Sequence, residues 1–129
     1  MAVTHNVLRQ YKDTSANALQ KPEVVTADIE RNVSINLAAQ ADAVIDFRVT
    51  QSKLQSLCLS ASQATTICTN APSTGVPQDT INLTAGEVLI WTLAMDTLAH
   101  CPFTGDVSAL FVTTTATATQ LDIRSLQMA

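Results

Sequence analysis

Two histidines and three cysteines have the widest chemical range in this chain: His5 and His100, and Cys58, Cys68 and Cys101. A zinc centre needs several His, Cys or carboxylate ligands converging on one point. His100 and Cys101 are adjacent, and adjacent side chains on extended chain diverge. Cys58, Cys68 and Asp96 would join them only if the fold gathered all of these residues, and no ligand spacing announces that. A Cys–His nucleophile pair would use Cys101 with one of the histidines. Nothing near Cys101 reads as a helix N-terminus that would present the thiol, and Pro102 follows it directly. The expectation is no metal and no cofactor.

The carboxylates Asp28, Asp42, Asp46, Asp79, Asp96, Asp106 and Asp122 raise the question of glycoside hydrolysis, which needs two of them facing one bond. Asp46 and Asp122 alternate with apolar residues, so they belong on the solvent face of strands. Asp79 and Asp106 sit where turns favour Asp. The spaced acids of a calcium loop are absent. With no catalytic constellation in view, the chain is expected not to be an enzyme. The cysteines are odd in number and widely spaced, which predicts three free thiols rather than a disulfide framework.

Composition narrows the partners. The 129 residues suit one domain, and 47% hydrophobic content supports a real core. Charged residues are 14%, against about 25% in an ordinary soluble domain. Small neutral polar residues take their place, as suits faces covered by neighbours or an ordinary Thr-rich β-protein. Net charge is −4, and the seven basic residues are scattered. Nucleic-acid binding, which needs a concentrated basic footprint, is not expected. Nor is membrane association, because no apolar stretch approaches the ~18 residues of a spanning helix. The opening Met1-Ala-Val-Thr-His lacks the pattern of a secretory signal, so synthesis and use in a cytoplasm, or release by lysis, is expected.

The elements that would position these residues read as strands. Val33-Ser-Ile35-Asn-Leu37 and Ile45-Asp-Phe47-Arg-Val49 alternate apolar and polar, as half-buried strands do. The predicted strands are 32–38, 43–50, 53–60, 64–69, 79–84, 87–93, 109–114 and 118–126. Ala61-Ser-Gln63 is a hairpin-sized connection, Ala85-Gly86-Glu87 is a turn, and 95–100 has room for a helical turn before Pro102. Regular strand spacing with turns between predicts an all-β fold. It should be an antiparallel two-sheet sandwich, jelly-roll-like, occupying residues 24–129. Its predicted core is Val33, Ile35, Leu37, Ile45, Phe47, Val49, Leu57, Leu59, Ile67, Ile81, Leu83, Ile90, Leu110, Val112, Leu121 and Ile123. Trp91 is expected in the core as well.

Residues 1–23 differ: they show no sustained period and end near Pro22. They read as an N-terminal arm, extended or with one helical turn. Val3, Val7, Leu8 and Tyr11 give the arm apolar groups to bury, each gaining roughly 1.5–3 kcal/mol if fully covered. They are the candidate docking residues of the arm.

One stretch also carries a resemblance. Asp79-Thr-Ile-Asn-Leu-Thr-Ala-Gly-Glu-Val-Leu-Ile-Trp-Thr is followed by Cys-Pro-Phe-Thr-Gly-Asp-Val-Ser-Ala-Leu-Phe-Val-Thr and a closing Leu-Asp-Ile-Arg. This resembles small β-sandwich proteins encoded among the virion genes of tailed bacteriophages, over roughly residues 24 to 126. The resemblance implies a capsid decoration or cement protein that binds and stabilises the outer shell. It implies the major capsid protein as partner, a homotrimer, and a place on the outer capsid surface of the virion. The arm and the cysteines are not part of the pattern; if the resemblance holds, Val3, Val7, Leu8 and Tyr11 are the candidate capsid- or subunit-binding residues of the arm. The alternative is a tail-associated or free carbohydrate- or receptor-binding sandwich, which an exposed aromatic platform or a ligand-sized cleft would favour.

Overall fold

The computed structural model describes the backbone of residues 2–12 and 18–129, and the side chains of 2–9 and 22–129. Its strands are β1 (Val3–Lys12), β2 (Ala18–Ala27), β3 (Ile29–Leu37), β4 (Gln40–Ile45), β5 (Leu54–Ala61), β6 (Thr65–Thr69), β7 (Thr80–Leu83), β8 (Val88–Thr92), β9 (Leu110–Thr114) and β10 (Thr119–Gln127). A single helical turn, α1 (Leu93–Asp96), follows β8, with a 3-10 turn at Leu98–His100. All strand pairing is antiparallel. The eight expected strands correspond to β3–β10, but the one expected over 43–50 ends early: β4 stops at Ile45, and beyond it only Val49 keeps a bridge, to Val107.

They form two sheets, ordered β3-β10-β5-β8 and β4-β9-β6-β7. Of the links between consecutive sandwich strands, only β6–β7 stays within one sheet; the others cross between sheets. That order is the jelly roll. Ala61-Ser-Gln63 therefore does not close a hairpin: it carries the chain from β5 in one sheet to β6 in the other. The turn before β8 does the same, using Gly86 at φ +76°, a conformation open to glycine without strain.

The core lies between the sheets. Leu37, Phe47, Val49, Leu57, Leu59, Ile67, Leu83, Leu110, Val112, Leu121 and Ile123 are buried as alternation predicts, and Val33, Ile45 and Ile81 pack against them half-buried. Two positions differ. Ile35 shares the inward parity of Val33 and Leu37, but edge strand β3 leaves it 38% exposed. Ile90 is not core: Leu89 and Trp91 take the inward positions of β8, so Ile90 faces the opposite side. A continuous apolar run hides its own parity. Trp91 is buried, and its indole Nε1–H donates to the Thr97 carbonyl at 2.9 Å. Phe103, Val107 and Leu54 complete the core from loops and a strand start.

Of the two forms expected for the arm the extended one is present, as a β-hairpin, and β2 runs to Ala27, four residues past the expected boundary at 23. Alternation was concealed because the inward-facing positions of β1 are Val3, His5, Val7 and Arg9, half of them polar.

Candidate functional site

The outer face of the β3-β10-β5-β8 sheet carries the side chains that alternation turns away from the core. The ladder registers set them in rows across four strands. One row is Glu30, Leu126, Ser56 and Thr92; the next is Asn32, Arg124, Cys58 and Ile90. The hairpin lies across this face. His5 Nε2 meets Glu30 Oε2 at 2.6 Å, and Arg9 clamps Asp96 with both terminal nitrogens, Nη1 to Oδ1 at 2.9 Å. Four residues of strand span ~13 Å, close to the ~14 Å of three interstrand spacings. The hairpin thus runs across the sheet strands, from β3 at one edge to α1 beyond β8 at the other.

Each anchor has a local cause. Asp28 is a bend between β2 and β3, so the chain swings from hairpin into sheet within one residue. That places Glu30 under His5. Asp96 ends α1 and accepts the Thr92 N–H at 2.9 Å, which fixes its carboxylate beside the end of β8. The Arg9 hydrogen bonds, with help from the Thr92 N–H and against some burial, hold the Asp96 carboxyl below its ordinary range. The same contact pushes the Arg9 guanidinium up, with Asp96 and Glu23 charges adding to it.

The two hairpin faces differ. Residues directly opposite in an antiparallel pair share a face. Val3 opposes Ala27, His5 opposes Val25, and Val7 opposes Glu23; these six are half-buried or buried against the sheet. Leu126 below them has no exposed surface. Thr4 opposes Thr26, Asn6 opposes Val24, and Leu8 opposes Pro22; all six are exposed. Leu8 is 52% and Val24 69% exposed, so with Pro22 they form an apolar stripe directed outward. Of the predicted arm residues, Val3 and Val7 lie on the inner face and Leu8 on the outer, so the structure does not bring all of them together. The Tyr11 side chain lies outside the described residues. Pro22 and Val24 were missed because they come from the second strand, which sequence alone does not pair with Leu8.

Beside β1 is a cleft of about 700 Å³. Its floor is the Asn32–Arg124–Cys58–Ile90 row with Ser56, and its wall is β1 from Thr4 to Leu8. Ser56 is 4% exposed, and its Oγ has no hydrogen-bond partner among the described residues. Thr92 Oγ1 and Glu23 Oε1, also under the hairpin, are likewise unpartnered. Arg124 is exposed and makes no ion pair among the described residues. Burial pushes the Cys58 thiol up, and the Arg124 charge pulls partly against it. The net direction disfavours the thiolate, the form that acts as a nucleophile.

The other residues singled out for chemistry are dispersed. Cys58, Cys68 and Cys101 are free thiols, as expected, and burial pushes Cys101 up as well. Among the described residues no group of three or more His, Cys, Asp or Glu is gathered as a metal site would require, and no helix is long and apolar enough to cross a membrane. Asp79 and Asp42 receive loop donors: Thr104 N and Oγ1 on Asp79, Ser73 N and Oγ on Asp42, all at 2.7–3.0 Å. Asp46 pairs with Arg48 on the surface, and Asp122 accepts Ser34 Oγ at 2.7 Å. No protein-family model, no curated protein and no solved structure matches the chain.

Proposed function

We propose that this chain is a structural component of a phage virion, a decoration or cement protein that binds the assembled shell. In this reading the outward apolar stripe of Leu8, Pro22 and Val24 contacts the major capsid protein or a neighbouring copy in a homotrimer. The observation that carries it is the two-faced hairpin. Its inner face is tethered to its own sandwich by Arg9–Asp96 and His5–Glu30, while its outer face leaves Leu8 and Val24 more than half exposed. Exposed apolar side chains gathered on a raised element favour contact with another protein. The jelly roll supports the reading without deciding it, because virus capsid proteins, lectins and cupins share that architecture. The resemblance of 79–124 to virion sandwiches points the same way. A protein that binds only the assembled lattice stabilises it by mass action, and many copies let each contact be modest.

The test has two parts. Mass spectrometry of purified virions should find the chain at capsid-like copy number. Deleting residues 1–21, or substituting Leu8→Asp with Val24→Asp, should leave a folded sandwich that decorates shells much more weakly. Undiminished decoration by both variants would move the attachment surface to the sandwich body, and absence from virions would overturn the reading.

The cleft favours a second reading, a carbohydrate- or receptor-binding module, since 700 Å³ falls within the range of small-ligand sites. Trp91, Phe47 and Phe103 are buried and supply no stacking platform. Screening the protein against a glycan array, with Arg124→Ala as control, tests it. Glycan binding lost in the variant would favour this reading over the first.

A further inference from the structure

The wall of the cleft is made by five consecutive residues of β1, Thr4 to Leu8. A strand presents alternate residues on opposite faces, so a wall of both parities is the edge of the strand. Among the described residues β1 pairs only with β2, and this is its other edge. The register tells which backbone groups lie there. Proline fits a ladder where its nitrogen points off the edge. That makes Leu8 with Pro22 a non-hydrogen-bonded pair, and by alternation Asn6 with Val24 and Thr4 with Thr26 as well. Such pairs bring side chains close, and Thr4 and Thr26 are joined Oγ1 to Oγ1 at 2.9 Å. The N–H and C=O groups of Thr4, Asn6 and Leu8 therefore point into the cleft.

We infer that this cleft accepts an extended peptide as a third strand beside β1, with an acidic side chain of that peptide on Arg124. A strand added to an edge sits ~4.8 Å away, which carries it from the anchored hairpin toward the Asn32–Arg124–Cys58–Ile90 row. The peptide backbone bonds Thr4, Asn6 and Leu8, the mode of recognition in which an edge gives affinity and side-chain pockets give selectivity. The side chains it turns downward meet the floor. There Arg124 supplies a charge without an ion-pair partner among the described residues, and Ile90 an apolar surface. A cationic peptide is disfavoured by Arg124, and a wholly apolar one leaves Arg124 unmatched. The inference does not depend on the virion reading: the stripe proposed to face the shell is on the outside of the hairpin, and this edge is at its side.

The experiment uses the full chain, labelled with ¹⁵N, and a seven-residue threonine–valine peptide with one central glutamate. Titration should shift the amides of Thr4, Asn6, Leu8 and Asn32 and slow amide exchange at Thr4, Asn6 and Leu8. The same peptide with glutamine for glutamate should bind about tenfold more weakly, the worth of one charge-assisted hydrogen bond. In Arg124→Gln, an exposed position, the two peptides should bind alike. A peptide N-methylated at alternate amides should not bind. The inference is overturned if the glutamate peptide causes no shifts at millimolar concentration, or if the N-methylated peptide binds equally. It is also overturned if acetate alone reproduces the response, which would mark a simple anion site. Concentration-dependent shifts of Thr4, Asn6 and Leu8 without peptide would overturn it as well, since a second copy would then occupy the edge.

Discussion

The hairpin and the sandwich are built from the same alternating strands, yet they are held in place by different means. In the sandwich, inward positions are apolar and the two sheets bury them together: Leu59, Ile67, Leu110, Val112, Leu121 and Ile123 have no exposed surface. In the hairpin, the inward positions include His5, Arg9 and Glu23, and the element is fixed at two ends by side-chain contacts. Apolar burial is strong and non-directional. An ion pair this near the surface, as Arg9–Asp96 is, is weak but demands one geometry. A two-stranded ribbon is marginal alone, so the hairpin depends on the sheet beneath it, whereas the sandwich has a core of its own between its two sheets. The difference separates a stable body from an element that can be loosened without unfolding it.

The largest effect should come from the body. Phe103 is fully buried and its ring lies 6.3 Å from that of Phe47. Phe103→Ala should lower the unfolding free energy by about 3–5 kcal/mol, seen as a lower denaturant midpoint with the whole molecule affected. A loss under 1 kcal/mol would mean that the loop closes over the vacancy and the core is less tightly set than the burial indicates.

A smaller, local effect should come from the anchor. Asp96→Asn keeps size and one acceptor for the Thr92 N–H but removes the ion pair with Arg9. The pair has about a quarter of its side-chain surface exposed, so it is worth ~1 kcal/mol. Amide exchange of β1 should quicken about fivefold, while that of β5 and β10 stays unchanged. Equal quickening in all three strands would erase the distinction between the two regions.

Acid should act at the same place. The Asp96 carboxyl is depressed below its ordinary 3.8, with Arg9 as the first cause. A depressed carboxyl contributes stability that is present above its unfolded value and lost as pH falls through the folded one. The hairpin amide shifts should therefore move below pH ~3.8 while the core methyl signals of Leu121 and Ile123 hold still. In Asp96→Asn the acid step at β1 should be reduced. A step that survives undiminished would assign it to another carboxyl.

Much of this was legible in the sequence, and what was not has identifiable physical reasons. The alternation of Val33 to Leu37 gave a strand and its parity together, because one buried face leaves a period of two; that of Ile45 to Val49 gave the parity, although the strand ends at Ile45. The run Val88–Leu93 gave a strand but not its parity, which misplaced Ile90. Phe103 and Val107 were unreadable as core because loops have no period. The hairpin was read as an arm because its inward face is half polar, so the alternation that marks β3 is missing in β1. The partners of His5 and Arg9 lie 25 and 87 residues away in sequence. Only the folded chain brings Glu30 and Asp96 beneath them, and only strand pairing puts Val24 and Pro22 beside Leu8.

The smallest expected effect sits where the two regions meet. Asp96 holds the hairpin, and its neighbour Thr97 holds the sandwich by accepting the Trp91 indole N–H. Thr97 does so at φ 62°, ψ 163°, a backbone conformation that a β-branched residue adopts only under strain. Strain of about 1–3 kcal/mol is typical of such positions, and glycine would relieve it at an entropic cost of roughly 0.5–1 kcal/mol. Thr97→Gly should therefore raise the denaturant midpoint by an amount equivalent to ~1 kcal/mol with an unchanged slope. The Trp91 contact should persist, because a backbone carbonyl accepts it. If the strain also serves to aim Asp96 at Arg9, the same variant should quicken β1 exchange even as the body gains stability. A gain in both regions would show that the loop positions the core alone and that the hairpin anchor tolerates its relaxation.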